Sequence, residues 1–447
     1  MKSYVLIAGL LVAGCTVGPE YHRPEVPLQT RFVGGTADSI GAVATEQWWL
    51  TYDDAILTEL VTRGLAQNLD VMLATEAIRQ AQAELRATGV AGAMDGSLSA
   101  SVSRSGGEGV ATATTASGSL GASLVLDLFG SVQREQEGAV ASLASTRAQA
   151  ETTRLAWLAE IIAAYSDARY YQEVLALTRD TVRARQETVN ITRSQFDAGG
   201  ATQYEIAEAQ ALLSTARADL PRYAALFDAN VYAIATLLNE PAGPIMEQMQ
   251  KGAAQLRILD TAQTGIPADL LRNRPDVRSA EADLAGSLAD VGVAEAALYP
   301  SLSLSGSIGR SDSNDSWSFG PQLSVPVFNQ SLLRANRDAQ ISVAKQFELT
   351  WRAEILSAVE DVQVAQSNLS RYRQRASLLQ TAARDYAQAL SLAQENYRNG
   401  ATTLLDLLDT DRNAATARIS AASAINDAAQ AWATLKIATG AGAAALE

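Results

Sequence analysis

The chain has 447 residues, a net charge of −14, one histidine and one cysteine. The single histidine, His22, argues against a histidine-based active site or metal centre, and the lone cysteine excludes an intramolecular disulfide. The net charge argues against a nucleic-acid backbone as partner, since binding one needs a basic face, and the abundant Ala, Ser, Gln, Leu and Glu with few aromatics favour long helices.

The N-terminus reads MKSYVLIAGLLVAGCTVGPEYHRP. Lys2 precedes an apolar run, residues 4–13, that is too short to span a bilayer as a helix, and residues 1–14 read as a signal peptide. Val12, Ala13 and Gly14 before Cys15 resemble a bacterial lipobox, which implies cleavage before Cys15 and lipidation of its thiol. Thr16 fits the pattern of sorting to the outer membrane. Each acyl CH₂ buried in lipid contributes about 0.8 kcal/mol, so a multiply acylated terminus is firmly anchored. The segment 15–66 is expected to pack along a belt of helices, with Trp48 and Trp49 as packing residues rather than a ligand box.

Beyond it the chain repeats itself at a period of roughly two hundred residues, too long for a solenoid unit. QNLDVMLATEAIRQAQAEL from Gln67 corresponds to NRPDVRSAEADLAGSLADV from Asn273, and LVLDLFGSVQRE from Leu124 to LSVPVFNQSLLRA from Leu323. SQFDAGGATQYEIAEAQALLSTARADL from Ser194 corresponds to ENYRNGATTLLDLLDTDRNAATARISA from Glu395. The first repeat, 67–238, is expected to hold a helix, strands 97–103 and 119–126, a long helix 131–198, a tight tip and a helix 202–238. A linker, 239–269, leads to the second repeat, 270–439: a helix, strands 301–308 and 318–327, a long helix 329–399, a tip and a helix 402–439, with a tail at 440–447.

Residues 139–198 and 331–399 contain no Gly or Pro, and helices of that length reach roughly 90 to 105 Å. Small apolar residues at three- and four-residue spacing, as in AEIIAAYSDARYY from Ala159, suit a closely packed coiled-coil array. Gly199 and Gly200, then Gly400, supply left-handed C-caps, and Thr202 and Thr402 are placed to N-cap the returning helices.

The four short segments between the helices alternate residue by residue. Leu98, Leu302 and Leu304 point one way and Ser99, Ser303 and Ser305 the other. Charges are expected only outside the strands, at Asp95, Arg104, Asp127, Arg310 and Asp312, and Tyr299, Phe129, Trp317 and Phe328 at strand ends suit an aromatic girdle. Four strands of about nine residues cross a membrane but cannot close a barrel, and an open edge in lipid leaves backbone groups unpaired. Two copies make a filled eight-stranded barrel and three a twelve-stranded one with room for a passage, so periodicity leaves dimer and trimer open, a conduit favouring the trimer.

IPADLLRNRPDVRSAEADLAGSLADVGVAEAALYPSLSLSGSIG, residues 266–309, resembles the core motif of the outer membrane factor family, TolC-like, in its NodT-type lipoprotein branch. GCTVGPEYHRP at 14–24, the tryptophans at 48–49 and NLDVMLATEAIRQAQAEL at 68–85 match it too, while Asn273 stands where Arg is commoner. The resemblance covers nearly the whole mature chain. It implies a mainly α protein with a transmembrane β-barrel: a homotrimer whose strands form one twelve-stranded barrel in outer-membrane lipid and whose helices form a twelve-helix periplasmic tunnel. The implied function is the exit duct of a tripartite pump for drugs or other small toxic compounds. Its implied partners are a periplasmic adaptor and an inner-membrane RND-type transporter, with no cofactor. By the same resemblance the tips (Gly199, Gly200, Thr202, Gly400, Thr402) face the adaptor, and Leu405, Asp409 and Arg412 pinch the tunnel closed, aided by Tyr397 bonding to an acidic residue such as Glu205. The first repeat is read as carrying Ala209 and Leu212 at the places of Asp409 and Arg412, so that the charges belong to the second hairpin alone.

Other functions compete less well. A duct for heavy metals or for secreted protein fits the same architecture. A periplasmic coiled-coil scaffold lipoprotein explains the hairpins but not charge-free strands. An enzyme has little to build on, because Glu205, Glu208, Asp406 and Asp409 have neither nucleophile nor metal beside them.

Overall fold

The computed structural model describes residues 16–35, 37–257, 259, 263–312 and 314–444; the signal peptide and Cys15 lie outside the described residues. After a 3₁₀ turn at Trp48–Tyr52, the helices are α1 (Ala55–Gln67), α2 (Leu69–Ala87), α3 (Val90–Ala93), α4 (Ser131–Asp197) and α5 (Gln203–Leu237). They continue with α6 (Ala242–Gln250), α7 (Pro267–Asn273), α8 (Pro275–Ala296), α9 (Gln330–Arg398) and α10 (Leu404–Ala438). The strands are β1 (Met94–Gly107), β2 (Val110–Leu126), β3 (Ser301–Ser311) and β4 (Asn314–Ser324). Among the described residues no helix is long and apolar enough to cross a membrane.

The helices open where the sequence offers caps. Asn68 interrupts the first helical run, its Oδ1 accepting from the N–H groups of Asp70 and Val71 at 2.9 and 3.0 Å, so α2 starts at Leu69 rather than 67. At the matching place in the second repeat Pro275 begins α8, where its missing N–H and fixed φ suit a first helical turn. The expected linker 239–269 is not all linker: α6 lies within it and buries Ile245 and Met249.

The chain forms two units. One comprises Met1–Pro27, Ala74–Ala150 and Asp276–Ile355, the other Leu28–Leu73, Glu151–Pro275 and Leu356–Glu447, so α4 and α9 supply residues to both. The N-terminal segment is divided between the two units after Pro27.

The first unit is built on a four-stranded antiparallel sheet in the order β1-β2-β3-β4. Directly paired residues share a face. One row runs Leu98, Leu120, Ile308 and Trp317, and another runs Leu126, Leu302 and Leu323. The opposite face is hydroxyl-lined, with Ser99 bonded to Ser119 at 2.8 Å, Ser101 to Ser117 at 2.9 Å and Ser307 to Ser318 at 2.9 Å. The strands outrun the apolar alternation, so Asp95, Arg104 and Arg310 fall inside the ladder rather than outside it, and Arg310 pairs with Asp315 across β3 and β4. A hairpin ladder extends to its turn whatever its side chains are, and Ser, Thr and Gly near the turns gave no alternation to read. β4 ends before Pro326, which has no N–H to donate, instead of reaching 327. Trp317 accordingly sits within β4, while Phe129 stacks on Tyr299 at 4.7 Å beyond the strand ends.

The N-terminal segment is stitched to this unit. The Val17 N–H donates to the Phe129 carbonyl at 3.1 Å, and Arg134 donates to the carbonyls of Val17 and Gly18. Arg23 grips Glu281 through two bonds of 2.6 Å, and the Tyr21 hydroxyl donates to the same carboxylate. Burial, reinforced by Glu281, pushes the Tyr21 phenol up to about 12.

In the second unit Trp48 and Tyr52 meet Trp432 edge-on at 5.6 and 5.2 Å, all three buried. The Trp48 indole donates to the Ala441 carbonyl and the Tyr52 hydroxyl to that of Ala429, so the aromatic cluster ties the 48–52 turn to α10 and its C-terminal continuation. Buried Asp269 takes bonds from the Ser39 hydroxyl and from the N–H groups of Ile40 and Ile266. Burial alone would raise its pKa, but those bonds and the Arg272 charge outweigh it and hold the carboxyl below its usual range.

Candidate functional site

Both hairpin tips in the second unit turn by the same device. Gly199 and Gly400 take φ of +77° and +72°, a region that L side chains avoid, and a Cβ on either would meet open space. The Gly199 N–H returns to the Phe196 carbonyl and the Gly200 N–H to that of Gln195; Gly400 and Ala401 repeat the pattern on Tyr397 and Asn396. These are Schellman caps. Gly200 has no positive φ, so the left-handed residue of the first tip is Gly199 alone.

The returning helices start on Thr202 and Thr403, whose hydroxyls accept from the N–H groups of Glu205 and Asp406. Thr402 is therefore not the N-cap; its hydroxyl donates to the Asp406 carboxylate at 3.2 Å. Bonds from the Thr403 side chain and backbone, then Thr402, hold the Asp406 carboxyl below its usual range. These caps fix the match between the repeats in the register of the strings paired from Ser194 and Glu395. With Gly199 opposite Gly400 and Thr202 opposite Thr403, the residues equivalent to Leu405, Asp409 and Arg412 are Tyr204, Glu208 and Ala211. The strings paired from Ser194 and Glu395 carry this same offset, so placing Ala209 and Leu212 opposite Asp409 and Arg412 is one residue out, and the first hairpin does carry a carboxylate at the Asp409 station.

The interrupted leucines of α10 sort cleanly by face. Leu404, Leu407 and Leu408 are buried with Val189, Ala209, Leu213, Leu390 and Tyr397. Leu405 is 55% exposed, and Asp409 and Arg412 pair at 3.0 Å on the open side with about half of each side chain accessible. The structure thus brings Leu405, Asp409 and Arg412 to one solvent-facing stripe, and places Tyr397 in the apolar seam behind it.

Tyr397 does not bond Glu205. Its hydroxyl shares a 3.0 Å hydrogen bond with Thr192, and its carbonyl accepts from the Gln195 amide at 3.1 Å. The Glu205 carboxylate is occupied in its own capping box, accepting from the Thr202 N–H and hydroxyl. Burial, together with the nearby Glu205 charge, raises the Tyr397 pKa against the opposing bond to Thr192, so the phenol stays neutral.

Two further links went unread in the sequence. Arg398 pairs with Glu187 on the surface of α4. Asp411, the third acid of the LLDLLDTDR stretch, is buried and meets Arg185 of α4 at 2.7 Å. A signal for the latter existed: Asp411 follows Leu404 by seven residues and lies in the apolar stripe, and Arg185 stands between Val182 and Val189 in the stripe of α4. Each is a charge in a seam, and together they answer one another.

The chain's comparisons with known proteins agree with one another. The family model described as "Outer membrane efflux protein" matches residues 60–240 and 266–441. Nodulation protein T of Rhizobium leguminosarum bv. trifolii is 40% identical over 370 residues, 80% of this chain and 79% of that one. The probable efflux pump outer membrane protein TtgC of Pseudomonas putida is 29% identical over 85% of this chain and 83% of its own. Among solved structures, the open state of the Neisseria gonorrhoeae MtrE outer membrane channel superposes with a TM-score of 0.84 at 27% identity, covering 96% of this chain and 98% of that channel.

Proposed function

Since the chain belongs to the outer membrane efflux protein family, we propose that it is the outer-membrane exit duct of a tripartite efflux pump, passing drugs or other small toxic compounds from an inner-membrane transporter to the exterior. The observation that carries this reading is the sheet. One face is apolar and exposed, the other is mostly serine, and among the described residues the outer edges of β1 and β4 have no partner in the sheet. In lipid such edges must be paired, and three copies closing a twelve-stranded barrel pair them all while leaving a hydroxyl-lined passage. We read the chain as a conduit and not as an enzyme. The test is complementation: in a strain lacking its own duct, expression with the cognate adaptor and RND-type transporter should restore drug resistance. A correctly inserted protein that restores none would refute efflux.

The tips are the part we assign to the periplasmic adaptor, whose helical hairpins they would meet. Gly400→Val places a β-branched side chain at φ of +72°, a strained conformation of order 1–3 kcal/mol. It should weaken adaptor crosslinking and lower resistance, and unchanged crosslinking would remove the tip from the docking surface. Gly199, Gly200, Thr202 and Thr402 belong to the same assignment.

We assign lipid attachment to Cys15. Cys15→Ser should abolish acyl labelling and processing at that site, and a mature protein with a free Cys15 thiol would disprove it. Leu405, Asp409 and Arg412, with Tyr397 behind them, form the gate in this reading. Threefold symmetry gives the exposed stripe its sense: each Asp409 faces two copies of itself across the axis, a ring that attracts cations and narrows the resting pore.

A further inference from the structure

We infer that the buried pair Arg185–Asp411 is the pivot on which the tip of α10 turns, a positioning device for the gate; this rests on the gate reading above. Arg185 and Asp411 are only 8% and 6% exposed, and the Arg185 Nε meets the Asp411 carboxylate at 2.7 Å. Its Nη1 donates to the Leu212 carbonyl of α5 at 3.1 Å. One guanidinium therefore fastens three helices: α4 and α5 of the first hairpin and the returning α10 of the second.

Between this pair and the tip, the hairpins are held by weaker means. Leu404, Leu407 and Leu408 pack on Val189, Ala209 and Leu213, a contact without directional bonds. Tyr397 makes two neutral hydrogen bonds, its hydroxyl with Thr192 and its carbonyl with the Gln195 amide, and Arg398–Glu187 is an exposed pair of the kind that contributes little. Separating Arg185 from Asp411 would strand two buried charges, a far larger penalty. When the tip moves, the outer contacts give way first and α10 swings about Asp411.

The pivot also sets what the gate shows. At about 100° per residue, Asp411 lies about 160° around the helix from Asp409, so tying Asp411 inward turns Leu405, Asp409 and Arg412 outward. On the far side of the pivot, Asn426 and Gln430 bond Asp167 of α4 at 2.6 and 2.7 Å, which keeps the rest of α10 in place.

The test uses the full-length protein in planar bilayers, with Arg185→Met, Asp411→Leu, the two combined, and Asp409→Ala/Arg412→Ala alongside. Each single change leaves a buried charge alone, so assembled channels should show a several-fold rise in resting conductance and frequent sub-states. The combined change replaces the pair with apolar side chains that pack together, and should return the conductance to that of the unaltered channel. A purely structural role would lower the yield of assembled channels but leave their conductance unaltered, which would overturn the pivot. A combined variant that conducts like the single ones would overturn it as well. Should the single variants fail to assemble, Arg185→Lys keeps the charge but lacks the fork that reaches both Asp411 and Leu212, and should show a smaller rise; no rise counts against the pivot. If Asp409→Ala/Arg412→Ala changes conductance and the Arg185 variants do not, only the pivot falls. If it changes nothing, the gate falls and the pivot with it.

Discussion

Leu120→Arg is expected to abolish insertion of the channel, whereas Ser119→Arg, its immediate neighbour, is expected to insert, assemble and conduct. Leu120 sits in the apolar row between Leu98 and Ile308. An arginine facing lipid near the bilayer midplane costs about 2–4 kcal/mol, and in a symmetric assembly every copy bears it. Ser119 points the other way, where its hydroxyl bonds Ser99 at 2.8 Å. Losing that exposed bond costs about 1 kcal/mol at most, and the new cation stands in water. Arginine in the passage should shift the channel toward anions, which a reversal-potential measurement reads directly. Equal insertion of both variants, judged by heat-modifiable migration of outer-membrane extracts, would mean that neither face meets lipid.

Asp409→Ala with Arg412→Ala is expected to raise single-channel conductance and weaken block by divalent cations. Within one chain the pair is half exposed and worth about 1 kcal/mol or less, so folding should be unaffected. In the proposed gate the effect arises from symmetry, because carboxylates gathered around an axis hold cations that a single one does not. Unchanged conductance and block would reduce Asp409–Arg412 to a surface ion pair.

Architecture was legible because it rests on periodicity. Glycine-free runs marked α4 and α9, and alternation marked the apolar cores of the strands, including the leucine row that the sheet register assembles. Strand ends were not legible, because Ser, Thr and Gly around Arg104 and Arg310 pair as well in a ladder as apolar residues do. The register of the tips was legible in the strings paired from Ser194 and Glu395; which of two adjacent glycines takes the left-handed turn was not, and the outcome, Gly199, goes with Thr202 capping the next helix. The Leu405–Asp409–Arg412 stripe followed from helical geometry. Tyr397's partner did not, since Thr192 lies about two hundred residues away and only packing decides that it outcompetes Glu205.

Native mass measurement of the detergent-extracted protein tests the duct most directly. In the proposed duct the two outer edges of the four-stranded sheet are paired by further copies, and three chains are the number that leaves a passage. A single species of three chains that conducts in bilayers is the expected result; a stable species of one or two chains with the same conductance would contradict it.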